Sequence, residues 1–313
     1  MELKTNIVHT YLRHKVRAFD FSPEDFIDLQ NRFPGLALVH HDTAESLEAS
    51  LDSVEILLCW DFIKDWYQKA GALRLISTPA AGDDWIARDA SASVTNHFGT
   101  FHGPMLSESL LGAMLYLNRR IPALLENQRQ RRWDRDLQAQ VPLLRGQTVL
   151  LIGYGHIAAH CAQLLSVLGC QVLGYRRSRQ SGVDGYGVTH VPTSGLPDAL
   201  GASDHVVLLL PGGASTDRLM NPARLAAMKK GSYLYNFGRG NALLAKDLIP
   251  AMDSGVVAGA VLDVVEEEPL PGNSPLWTDE RVLVMPHSSC VYREYKSLYL
   301  QEVAGILAPH LAR

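Results

Sequence analysis

From residue 148 onward, short apolar runs alternate with stretches whose apolar residues recur every three to four positions. The runs predict strands over 148–152, 171–175, 205–210, 233–237, 257–264 and 282–285, since unbroken apolar segments of this length suit strands covered on both faces. Helical patterns fall between them over 156–168, 222–228 and 245–252, with Gly169 as the stop signal of the first. This alternation predicts six or so parallel strands with helical crossovers, a doubly wound α/β sheet. The first third is less regular. Strands are expected over 37–39, 54–59, 73–77 and 91–96 and helices over 24–30 and 46–51, while residues 5–21 fit neither period. They form a second, smaller α/β unit. A helix over 104–117 leads out of it, with Pro104 in the first turn where a missing N–H costs little. An amphipathic helix over 292–311 is expected to return to the first unit, which makes that unit discontinuous, 1–97 with 286–313, around a unit of 98–285.

The order strand, Gly153-Tyr154-Gly155, helix, second strand is the form that binds a dinucleotide, here as Gly-x-Gly-x-x-Ala ending at Ala158. Gly153 permits the tight turn, Gly155 lets the backbone approach a pyrophosphate, and Ala158 keeps the helix close to the sheet. Tyr154, His156 and Ile157 fill the variable positions, at a helix N-terminus whose free N–H groups favour anions. The second strand ends at Tyr175 and runs into Arg176-Arg177-Ser178-Arg179. An NAD-specific turn carries an acidic residue there for the ribose 2′-hydroxyl; an arginine pairs instead with the 2′-phosphate of NADP. NADP is therefore the expected cofactor, with NAD possible.

Composition narrows the class. A chain of 313 residues, 47% hydrophobic and 20% charged, is that of a globular protein. The net charge of −4 gives no reason to expect nucleic acid, and no apolar run approaches the roughly 18 residues that span a bilayer. The start lacks the basic and apolar regions of a signal peptide, and Cys59, Cys161, Cys170 and Cys290 show no metal-like or disulfide-like spacing. A cytoplasmic protein with reduced thiols is expected. The basic stretch 128–136 is interrupted by aspartates and reads as a solvated face or a subunit contact.

Ligands of doubly wound sheets sit beyond the carboxyl ends of the strands. Following the later strands come Gly238-Arg239-Gly240, then Glu266-Glu267-Glu268 after Asp263, then Pro286-His287. Each alone has an ordinary reading: a loop ion pair, a solvated acidic run, a satisfied histidine. At adjacent strand ends they suit hydride transfer to a carbonyl. Arginine binds a carboxylate through its planar fork, histidine moves a proton near neutral pH, and a glutamate beside it favours imidazolium. His156 with His160, and His40 with His41, could be metal pairs, but neither pair has a third ligand in sight.

From about 143 to 289 the chain resembles the D-2-hydroxyacid dehydrogenase family. The matching segments are Gly153–Ala158, Leu210-Pro211 with Thr216, Met228-Lys229-Lys230-Gly231, Asn236-Phe237-Gly238-Arg239-Gly240, Gly259-Ala260-Val261-Leu262-Asp263-Val264, Glu268-Pro269-Leu270-Pro271, Ser274-Pro275-Leu276-Trp277 and Pro286-His287. Within the family it is most similar to glyoxylate/hydroxypyruvate reductases. The resemblance implies a Rossmann-type doubly wound parallel sheet with a smaller flavodoxin-like substrate domain, and a homodimer. It assigns Arg239 to the 2-oxo acid, His287 to acid–base chemistry, Glu268 to pairing with His287, and Asp263 to the nicotinamide end. Pro211, Thr216, Phe237 and Gly238 fall to the cofactor, Ala80-Ala81-Gly82 to the substrate carboxylate, and the substrate to a place between the domains. Departures are Ala158 for the third glycine, Met285 where threonine usually precedes Pro-His, and Ser288-Ser289-Cys290 for a small apolar pair. The rival reading is a catalytically idle, dinucleotide-sensing scaffold resembling the family's corepressor branch.

Overall fold

The computed structural model describes residues 5–177 and 181–311. The chain packs into two compact units, Met1–His102 with Val291–Arg313, and Gly103–Cys290. The larger unit, expected over 98–285, thus runs from Gly103 to Cys290. His287 and the two serines after it therefore belong to the larger unit, because Asp263 hydrogen-bonds the backbone of all three.

The smaller unit contains β1 (Ile7–Tyr11), α1 (Ile27–Arg32), β2 (Ala37–His40), α2 (Ala44–Glu48), β3 (Ile56–Cys59), β4 (Leu75–Thr78) and β5 (Thr95–Phe98). The strands form one parallel sheet in the order β2-β1-β3-β4-β5, a flavodoxin-like order. Side chains alternate across a strand, so Ile56 and Leu58 enter one core while Leu57 and Cys59 enter another on the opposite face. The expected helix over 24–30 is two pieces, a 3-10 turn Pro23–Phe26 capped by Ser22 and then α1. The C-terminal helix, Tyr295–Leu311, packs Tyr299, Leu300, Val303 and Leu307 against Val8, Phe26 and Leu75. Its Tyr299 hydroxyl donates to the Ser77 carbonyl, 3.1 Å.

The larger unit is entered through α3 (His102–Asn118), followed by α4 (Ile121–Arg129), β6 (Thr148–Ile152), α5 (His156–Val167), β7 (Gln171–Tyr175), β8 (Gly182–Val183), β9 (Thr189–Val191), α6 (Leu196–Ala202), β10 (His205–Leu208), α7 (Pro222–Ala226), β11 (Ser232–Asn236), α8 (Ala245–Asp253), β12 (Val257–Leu262) and β13 (Val282–Val284); the C-terminal helix is α9. Its sheet runs β13-β12-β11-β10-β6-β7-β9-β8, parallel except for β8, which pairs antiparallel with β9. The order reverses between β6 and β10, the switch point of a Rossmann-type sheet. Leu150 and Ile152 face one core while Val149 and Leu151 face the other, which is why β6 reads as an unbroken apolar run. All four are fully buried, and each such side chain contributes roughly 1.5–3 kcal/mol. Helix α5 stops at Gly169, in the left-handed region at φ +80°, where the Cys170 N–H returns to the Leu165 carbonyl at 3.0 Å.

Candidate active site

In the larger unit every candidate residue lies at or just beyond the carboxyl end of a strand, and close backbone contacts join these ends. A Cβ on Gly153 would lie 2.5 Å from the Leu209 carbonyl oxygen, and one on Gly238 would lie 2.5 Å from Leu210 N and O. A Cβ on Gly240 would come within 1.8 Å of the Val265 carbonyl oxygen. The glycines on either side of Arg239 thus let the end of β11 press against the loop after β10 on one side and the loop after β12 on the other. Arg239, extended at φ −134°, is half-buried, and its Nη1 donates to the Gly238 carbonyl at 3.1 Å.

The turn after β6 leads into the N-terminus of α5. The Gly153 and Tyr154 N–H groups both donate to the Tyr175 carbonyl, 2.9 and 3.0 Å, which ties the turn to the end of β7. Gly155 caps α5 with open space around its Cα: the nearest atom to an added Cβ is the Gly153 oxygen at 4.0 Å. Residues at this turn fit a dinucleotide, since the first turn of α5 is accessible and its opening residues, His156 and Ile157, are exposed and half-buried. The His156 ring meets that of His160 edge-on at 5.0 Å. Among the described residues, no group of three or more His, Cys, Asp or Glu gathers to hold a metal.

Tyr154 has a partner that the sequence did not indicate. Its hydroxyl donates to Asp184 Oδ2 at 2.9 Å, and its ring fits where a Cβ on Gly174 would meet it at 2.7 Å. Asp184 in turn accepts the N–H groups of Tyr186 and Val188 and lies 3.2 Å from His190 Nε2. Arg176 and Arg177 follow β7 directly and are exposed; Ser178 lies outside the described residues. The Thr216 hydroxyl, 2.8 Å from the Pro211 carbonyl and 2.9 Å from that of Gly213, closes the loop after β10. Phe237 is 5% exposed and packs in the core, so its backbone is what it presents at the strand end.

The acidic run divides its work. Glu266 caps α8 through the Ala245 N–H, 3.0 Å, and Glu267 is exposed. Glu268 Oε2 lies 2.8 Å from His287 Nδ1, and its Oε1 accepts the Val265 N–H at 3.3 Å. With Nδ1 committed to Glu268, Nε2 is the ring nitrogen left to face a ligand. The side chains are 49% and 37% exposed, so the pair is partly screened by solvent. Glu268 raises the His287 pKa through this hydrogen bond, against the effect of burial, and the Glu268 and Asp263 charges add to the rise while Arg239 opposes it. Burial works against ionised Glu268, yet the His287 bond and charge, the Val265 N–H and Arg239 together hold its carboxyl below the ordinary range.

Asp263 is buried, and both its oxygens serve the loop after β13. Oδ1 accepts the N–H groups of Ser288 and Ser289, 2.7 and 3.1 Å, and Oδ2 accepts the Ser289 hydroxyl at 2.5 Å. Burial raises its pKa, against the opposing pull of those donors and of His287. In the smaller unit, the Ala80–Gly82 segment follows β4. Its start is fixed by Thr78 Oγ1 to the Ala80 N–H, 3.3 Å, and by the Tyr295 hydroxyl to the Pro79 carbonyl, 3.0 Å. Ala80 is buried, Ala81 exposed and Gly82 half-buried.

A family model for the NAD binding domain of D-isomer specific 2-hydroxyacid dehydrogenases matches residues 111–289, more than half of the chain. A glyoxylate reductase of Thermofilum pendens is 33% identical over 223 residues, 69% of this chain and 65% of that protein. A glyoxylate/hydroxypyruvate reductase A of Salmonella typhi is 36% identical over 153 residues, 48% of each chain. The chain thus spans about half to two thirds of the length of these curated relatives. A D-isomer specific 2-hydroxyacid dehydrogenase from Xanthobacter autotrophicus, solved with NADPH and MES, superposes with a TM-score of 0.82 at 28% identity, covering 98% of this chain and 95% of that one.

Proposed function

Because the chain belongs to the D-isomer specific 2-hydroxyacid dehydrogenase family, we propose that it reduces small 2-oxo acids of the glyoxylate and hydroxypyruvate type to 2-hydroxy acids, with NADPH as the hydride donor. The observation that carries this reading is the His287 Nδ1–Glu268 Oε2 contact of 2.8 Å, on a loop beside the Arg239 corner. When bound, the nicotinamide supplies a hydride to the carbonyl carbon. The Arg239 guanidinium holds the substrate carboxylate and polarises the carbonyl. The imidazolium of His287 gives its Nε2 proton to the carbonyl oxygen, leaving a 2-hydroxy acid and a neutral ring. Glu268 keeps that ring charged before transfer and fixes its tautomer. His287 then takes a proton from solvent, so one proton is consumed per turnover.

NADPH in preference to NADH is supported by Arg176 and Arg177, exposed directly beyond β7, and by the NADPH found with the Xanthobacter autotrophicus neighbour. A homodimer is proposed as well, with Trp133 and Leu143 of the larger unit, 87% and 73% exposed, as candidate contact residues. The reading is tested by following nicotinamide absorbance with a panel of 2-oxo acids and both cofactors. Turnover with glyoxylate or hydroxypyruvate and NADPH is expected; an inert protein that still binds NADPH would favour an idle sensor.

A further inference from the structure

His287 stands on a left-handed turn, φ +50°, a conformation that a side chain other than glycine adopts only when its surroundings impose it. Those surroundings are few and specific. The His287 N–H is shared between the carbonyls of Asp263, 2.8 Å, and Met285, 3.0 Å. The next two N–H groups and the Ser289 hydroxyl all fall on the Asp263 carboxylate. From the other side, the Ser109 hydroxyl of α3 donates to the Ser289 carbonyl at 2.8 Å. Asp263 and Ser289 are 3% and 4% exposed, so no solvent replaces a lost donor. The backbone donors would be present with any residue at 288 and 289, but the hydroxyl on Oδ2 depends on serine.

We propose that Ser289 is a positioning residue for His287: its hydroxyl holds the buried Asp263 carboxylate in the form that fixes the turn and faces the imidazole with a negative charge. The proposal rests on the reading of His287 as the acid. Without the hydroxyl, Oδ2 is left buried without that donor, a state relieved by rotation or by protonation of the carboxylate. Either change loosens the turn and weakens the charge that favours imidazolium. The other charged groups acting on His287 are Glu268, which supports the charged ring, and Arg239, which opposes it. The neighbouring Cys290 thiol, pushed up to about 12 mainly by burial, stays neutral at working pH.

The test uses the full chain labelled at its histidine ring carbons and titrated by NMR, with the His287 signal identified by its loss in His287→Gln. In Ser289→Ala the His287 midpoint is expected to move to lower pH. The alkaline limb of kcat/KM should move the same way, and kcat at pH 8 should fall roughly tenfold with the KM for NADPH unchanged. Ser289→Thr, which keeps the hydroxyl, should restore the midpoint. If Ser289→Ala does not fold, Ser289→Cys, a weaker donor of similar size, should show a smaller shift in the same direction. An unmoved or raised midpoint in the folded variant would overturn the proposal even if its melting temperature dropped. Because the titration is read without turnover, it stands apart from any failure of the unmodified protein to reduce 2-oxo acids.

Discussion

Gly240→Ala should damage both stability and turnover, and its size follows from one contact. The added Cβ would lie 1.8 Å from the Val265 carbonyl oxygen, 2.0 Å from its carbon and 2.7 Å from Glu266 N. All three are backbone atoms, so no side chain can swing aside. Restoring ordinary contact requires the ends of β11 and β12 to part by about 1.5 Å. Such overpacking falls at or above the top of the usual range, roughly 3 kcal/mol. In a unit of this size that corresponds to a melting temperature lower by about 6–12 °C. The displaced segment carries Arg239 on one side and leads to Glu268 on the other, and a misplacement of about 1 Å can reduce turnover by around a hundredfold. The assay is calorimetry together with kcat on the best 2-oxo acid. The control is Gly272→Ala, where an added Cβ meets nothing within 4 Å; it should match the unmodified protein in both. Unchanged melting and turnover in Gly240→Ala would refute the claim that this glycine sets the Arg239 corner.

Two further outcomes follow from the site. Glu268→Gln removes the main support of the raised His287 pKa, so the charged acid is lost at lower pH and the alkaline limb of the pH profile should move down; an unchanged profile would remove Glu268 from the mechanism. The same pair makes a stability contribution that is lost as pH rises through the raised His287 value and as it falls through the lowered Glu268 value. Arg176→Asp replaces an attraction for the 2′-phosphate by a repulsion, and should turn a preference for NADPH of about tenfold or more into one for NADH. Equal kcat/KM for both cofactors in the unmodified protein would contradict that assignment.

The strands of the larger sheet were legible because β6, β10, β11 and β12 send alternate residues into two cores, so that Thr148, His205, Ser232 and Asn236 stand only at strand ends and do not break the pattern inside. β1 was hidden by its own polar residues. His9 pairs with His41 at 2.9 Å and Thr10 with His40 at 2.7 Å, so polar side chains satisfy one another inside the small sheet and erase the apolar period. β8 has two residues, too few for any period, and α6 opens on Leu196-Pro197 and contains Gly201, which reads as a loop. Residues acting through their own side chains at strand ends, Arg239, Glu268 and His287, were visible as residue types following apolar runs. The Ser289–Asp263 and Tyr154–Asp184 contacts were not, because their members are 26 and 30 positions apart and meet only once the sheet has formed.

The most direct measurement is where the hydride goes. With NADPH deuterated at the transferable position of the nicotinamide ring and hydroxypyruvate as substrate, the product should be a 2-hydroxy acid of D configuration carrying deuterium at C2. His287→Ala should bind the same cofactor and form that product at least about a hundredfold more slowly. Product without deuterium at C2, or deuterated product formed as fast by His287→Ala, would contradict the account.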